Sequence, residues 1–161
     1  TKIWRKPLRP ASPNKGHDLA GEPLVDGPAQ VEPLHLLSLA GDLAGRLAVC
    51  ALFWWSVFLD ILPTWPATVD YVAAQGVPFP WAASAIAVVV EIGGPTLLLT
   101  PGLEAAGAII LAVYCVATAM LFHAFWLLDG DGRDMQLVHF LKNIALAGAL
   151  MTFTTRTHLR T

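Results

Sequence analysis

The sequence predicts an all-α protein: an integral membrane four-helix transmembrane bundle with an extended, Pro-rich N-terminal tail. Three observations carry that prediction. Four apolar runs follow one another, each long enough to cross a bilayer; a hydrocarbon core of about 30 Å takes about 20 helical residues. Only 14% of the 161 residues are charged and the mean hydropathy is +0.58, where a soluble domain carries about 25% charged residues. Proline is concentrated in the tail and between the runs, where its missing amide and fixed φ end helices.

In chain order, residues 1–33 form the tail, with six of the twelve prolines and five of the ten Lys/Arg residues. It is expected to be extended and to lie along a partner or an anionic surface. Residues 34–161 form the membrane domain. Residues 34–40 (LHLLSLA) read as a short interfacial lead-in. The four spans are expected at about 42–62, 81–100, 103–128 and 135–155. Arg46 lies one turn into the first and can snorkel to the near surface. Gly41 and Gly45 have the spacing that lets helices approach closely. Residues 63–80 carry four prolines and read as a connecting loop, anchored by Trp65, Tyr71 and Trp81. Pro101-Gly102 makes a tight turn, so spans two and three form an antiparallel hairpin. DGDGRD turns the chain into the fourth span.

The chemistry excluded is as clear as the fold. Cys50 and Cys115 are 65 residues apart inside apolar runs, without CxxC or metal-ligand spacing, and read as small buried thiols. No metal site is expected. No basic, aromatic-interleaved face exists outside the tail, so no nucleic-acid partner is expected. The first strongly apolar run begins too late for a standard cleavable signal.

The intramembrane polar residues are segregated. Asp60 falls near the end of the first span. Glu91 lies about ten residues, or roughly 15 Å, below the start of the second. His123 is near the end of the third, and His139, Lys142 and Asn143 are one to two turns into the fourth. These six form the candidate polar cluster or quinone site, all in one half of the bilayer. His139, Lys142 and Asn143 are at i, i+3 and i+4 and share a helix face. Charge facing lipid is costly, so that face is expected to point inward, with Glu91 reaching Lys142 or a histidine. Pro95 removes the helical partner of the Glu91 carbonyl, and a kink is expected there. Trp54, Trp55, Phe122, Phe125 and Trp126 suit a flat apolar ligand, and serve equally as belt and core.

The stretches YVAAQGVPFP, EIGGPTLLLTPG and HAFW…MQLVHFLKNIALAGALM resemble the DoxX family of small four-helix membrane proteins. The resemblance covers about residues 42–155. The tail is an addition to the usual pattern. Pro95, and the turn PGLEAAG in place of one with a basic residue, are departures from it. The resemblance implies the fold and a membrane redox context, since relatives occur with quinol oxidases and thiosulfate:quinone oxidoreductases. It assigns no role to the six residues. The expectation is an accessory or structural subunit of a larger membrane electron-transfer complex, surrounded by lipid; the alternative is a quinone-reactive oxidoreductase subunit. Quinone is the one cofactor either reading admits. The expected location is the bacterial inner (cytoplasmic) membrane, multi-pass. Lys/Arg asymmetry puts both termini in the cytoplasm. An accessory subunit predicts lipid or protein against the polar cluster; a quinone site predicts a cavity reaching Glu91.

Overall fold

A computed structural model describes residues 31–157 and the side-chain surroundings of residues 33–154. Of the extended tail expected over residues 1–33, residues 1–30 and its docking lie outside the described residues, while residues 31–33 belong to the first helix rather than to an extended segment. The bundle is a compact unit that begins at Leu39. Every regular element among the described residues is helical, and four helices are long and apolar enough to cross a membrane.

Helix α1 runs Val31–Trp55 and continues as a π-helical segment, Ser56–Ile61. It begins well before the expected residue 42. Pro33 sits in its first turn, where the missing amide would have had no helical partner anyway. In the π-helical segment Leu62 N–H reaches back to the Val57 carbonyl (3.0 Å). Pro63 follows and has no amide to offer Leu59, so the helix stops. The expected loop contains a further helix, α2, Trp65–Ala74. Its Pro66 again occupies the first turn, so a proline in this segment starts a helix rather than excludes one. Trp65 meets Trp81 edge to face (6.0 Å between centroids).

Helices α3 (Pro80–Leu99) and α4 (Glu104–Phe122) form the expected hairpin around Pro101-Gly102. Gly102 takes φ +83°, and its N–H donates to Glu104 Oε2 (2.8 Å). The two backbones touch at Gly107: a Cβ there would lie 2.4 Å from Leu98 N and 2.7 Å from the Gly94 carbonyl oxygen. Helix α4 ends at Phe122, six residues short of the expected 128. A 3-10 turn, Phe125–Leu127, follows. No Pro or Gly marks that break. Instead Phe125, Trp126 and Phe140 pack edge to face at 5.1–5.9 Å, a cluster that a continuous helix would rearrange. Helix α5 runs Gly130–Thr157 and takes in most of the DGDGRD segment. Asp131 in its first turn complements the helix dipole.

α4 packs along both α3 and α5. The core lies where α1, α3, α4 and α5 meet: Cys50 and Phe53 from α1, Leu98, Leu111 and Cys115 from the hairpin, Leu150 and Phe153 from α5. Arg46 does not snorkel. It is only 8% exposed. Its Nε pairs with Asp42 (3.0 Å), one Nη donates to the Leu98 carbonyl (3.1 Å) and lies 3.8 Å from Glu104, and the guanidinium sits over the Phe153 ring. This ties α1, the α3–α4 turn and α5 together at one end of the bundle.

Candidate functional site

At the opposite end from Arg46, the short helix α2 stands off the bundle and leaves a cavity of about 500 Å³. Its walls come from the π-helical segment (Ser56, Asp60), α2 (Thr68, Tyr71), α3 (Ser84) and α4 (Tyr114, Thr118, Phe122). A second recess of about 230 Å³ runs deeper, between α1, α3, α4 and α5. Ser56, Tyr114 and Thr118 line both, so the two share a wall. The recess also holds Glu91, Cys115 and Asn143.

The local sequence explains the shape. The wider turn of a π-helix is frequently met at functional sites, and here it carries Ser56 and Asp60 to the cavity. Threonine and serine hydroxyls in the walls bend back to their own helices: Ser84 donates to the Pro80 carbonyl (2.8 Å) and Thr118 to that of Tyr114 (3.0 Å). They satisfy themselves while leaving lone pairs toward the cavity. Tyr71 and Phe122 stack on each other at 5.6 Å in its wall.

Glu91 is 4% exposed and faces the interior. Its partner is Tyr114, whose Oη donates to Glu91 Oε1 (2.5 Å). Oε2 is buried and makes no hydrogen bond. Ser56 and Asp60 are its next polar neighbours. A buried carboxyl oxygen with an open hydrogen-bonding position is uncommon in a folded protein, since leaving it so costs about 1–3 kcal/mol. A phenol bonded to a carboxyl can hold or pass a proton, and Oε2 can bond a polar group entering the recess.

The six residues predicted from sequence part company here. Glu91 and Asn143 line the recess, and Asp60 lines the outer cavity. The expected pairing of Glu91 with Lys142 or a histidine is replaced by Tyr114. Lys142 and His139 are exposed, and His123 is half-buried. The two imidazoles stack face to face (5.2 Å, 21° between planes), and His123 Nδ1 is 2.7 Å from Gln136 Oε1. They form a pair of their own between the end of α4 and the N-terminal half of α5, away from the recess. Among the described residues no three His, Cys, Asp or Glu side chains converge as metal ligands. Of the five aromatics expected to suit a ligand, Phe122 lines the cavity, as does Tyr71, which was expected as an interfacial anchor; Trp55 is exposed.

Sequence reasoning missed Tyr114, Ser56 and Thr118. One signal was available for Tyr114: Glu91 lies eleven residues before Gly102 and Tyr114 twelve after it. A tight hairpin brings such positions to the same depth.

Comparison with known proteins agrees with the architecture. The DoxX family model matches residues 41–124, through α1, the cavity-forming α2, the hairpin and the end of α4. The chain is 31% identical over 109 residues to the inner membrane protein YphA of Escherichia coli (strain K12), covering 68% of this chain and 77% of that protein. No solved structure matches the chain. A family match over half the chain, a relative aligned over three quarters of its length and four apolar helices around a hairpin lead to one assignment: the chain is a multi-pass membrane protein and belongs to the DoxX family.

Proposed function

We propose that this protein is a subunit of a membrane-bound electron-transfer assembly that holds a quinone-class molecule in the outer cavity, against the wall it shares with the Glu91–Tyr114 recess. One observation carries the reading: the outer cavity shares its wall with a recess in which Glu91 Oε2, buried, makes no hydrogen bond. A volume of about 500 Å³ falls within the roughly 300–1,000 Å³ of small-molecule sites. Such sites are mostly apolar with a few placed polar groups. Here the stacked Tyr71–Phe122 pair offers an aromatic face to a flat ring, and Ser56 and Tyr114, on the wall shared with the Glu91 recess, serve its oxygens. A cavity against the polar cluster favours this reading over a purely structural subunit.

The test is equilibrium binding. Purified protein in lipid nanodiscs is titrated with a short-chain quinone, and tryptophan quenching is followed. Saturable binding is expected. Tyr114→Phe removes one hydrogen bond of about 1 kcal/mol and is expected to weaken it about fivefold. Ala117→Trp, which fills the outer cavity, is expected to abolish it. Quenching that is unsaturable, or the same in all three proteins, sinks the reading.

In this proposal both termini are cytoplasmic. The α3–α4 turn and Arg46 lie on the cytoplasmic side, and α2 with its cavity on the outer side. The excess of Lys/Arg in the tail and after residue 155 supports it. A cysteine replacing the exposed Asp129 is expected to react with an impermeant maleimide on intact spheroplasts. Labelling only after lysis reverses the topology.

A further inference from the structure

We infer that the outward face of α5 is the docking surface for a transmembrane helix of a different polypeptide, one that carries an Asp or Glu opposite Lys142. The inference deepens the proposed assembly by naming its contact, and rests on that reading only for the existence of a partner, not for the quinone.

Lys142 lies inside the span Gly130–Thr154. It is exposed, and no hydrogen bond, ion pair or ring contact reaches it from the described residues. It sits seven residues, about 10 Å, below Met135, where the apolar part of α5 begins. An ammonium at such a place is costly in lipid and is usually met by an opposite charge. Snorkelling toward that end shortens the gap without closing it.

The same face has the form of a helix contact. Val138, Ala145 and Ala149 are exposed and fall with Lys142 on one side of α5 at spacings of three, four and seven. Ala145 and Ala149 have the small-xxx-small spacing that lets another backbone approach closely. His139, also exposed, flanks Lys142 one step around the helix.

Among the described residues, no carboxyl of a second copy suits the place. Glu91, the one carboxyl in the middle of a span, is 4% exposed and turned inward. Asp42 and Glu104 pair with Arg46 at the far end. Asp60 lines the outer cavity, and Asp70, Asp129, Asp131 and Asp134 lie in or beside α2 and the first turns of α5. Charge complementarity therefore asks for a carboxylate from another protein.

The experiment uses the full chain expressed in its own host. A photo-crosslinking benzoylphenylalanine replaces Ala149, or as a control Val113, which is exposed on α4. Membranes are irradiated and the adduct is sequenced by mass spectrometry. The expected adduct from position 149, absent from 113, joins an apolar segment of another polypeptide containing Asp or Glu. Lys142→Met is expected to reduce its yield at least fivefold, and a Lys142→Glu change combined with Lys at the partner's acid to restore it. No protein adduct, a segment without an acid, an adduct between two copies of this chain, or a yield indifferent to Lys142 each overturns the inference. Because Lys142 touches neither cavity, quinone binding by Lys142→Met is unchanged whichever way this comes out. Failure of the docking face and failure of the ligand site are thus read separately.

Discussion

Replacing Gly107 with alanine is expected to lower the melting temperature of the purified bundle by roughly 6–12 °C, and replacing it with valine to prevent accumulation. The Cβ has nowhere to go. Its nearest neighbours are Leu98 N at 2.4 Å, the Gly94 oxygen at 2.7 Å and Leu97 C at 2.9 Å, all backbone. No rotamer change can relieve a clash with main chain, so α3 and α4 must separate along the seam that buries Leu98, Leu111 and Cys115. Overpacking costs about 1–3 kcal/mol and more where nothing yields. At about 2–4 °C per kcal/mol for a chain of this size, the upper end gives the stated shift. Gly93→Ala is the control. A Cβ there meets nothing within 4 Å, and alanine is favoured over glycine in a helix by roughly 0.5–1 kcal/mol. That variant is expected to melt at or slightly above the parent temperature. Equal losses at the two glycines would show that helix propensity, not the close approach, decides.

The second large effect is at Arg46. Arg46→Met is expected to cost about 3–5 kcal/mol, the usual result of removing one partner from a buried ion pair. Asp42 and Glu104 side chains are 10% and 14% exposed, and both would lose the guanidinium between them. The Leu98 carbonyl at the end of α3 would lose its donor as well. Glu104→Gln added to Arg46→Met removes one stranded charge and is expected to recover part of the loss. Detergent melting curves of the two variants decide it. A neutral Arg46→Met would mean that the arginine reaches water, as the sequence alone implied.

The contrast at Arg46 shows what could be read from sequence and what could not. Four spans, the hairpin at Pro101-Gly102 and an inward Glu91 follow from hydropathy, turn chemistry and the cost of charge in lipid. These are properties of single segments. The partners of Arg46 and Glu91 are properties of how segments meet. Asp42 was visible as an i, i+4 neighbour, but the Leu98 carbonyl and the Phe153 ring were not. Nothing in AVYCVATAM singles out Tyr114; only hairpin geometry puts it level with Glu91. The π-helical turn at Ser56–Ile61, which aims two cavity residues, left no mark in composition. Helix α2 was hidden because proline reads as a breaker wherever it stands, although in a first turn it is neutral. At His139, Lys142 and Asn143 the shared-face argument was too coarse. Neighbouring positions differ by about 100°, so Asn143 lines the recess while Lys142 points out.

The central claim is that a ligand sits between the π-helical segment, α2 and α4, against the wall shared with the Glu91–Tyr114 recess. Photoaffinity labelling with a diazirine-bearing quinone analogue, followed by peptide mapping, tests it most directly. The predicted result is saturable labelling within residues 56–72 and 114–122, suppressed by excess unlabelled quinone and by Ala117→Trp. Labelling spread over the lipid-facing side chains of α3 and α5, and indifferent to competitor, would contradict it.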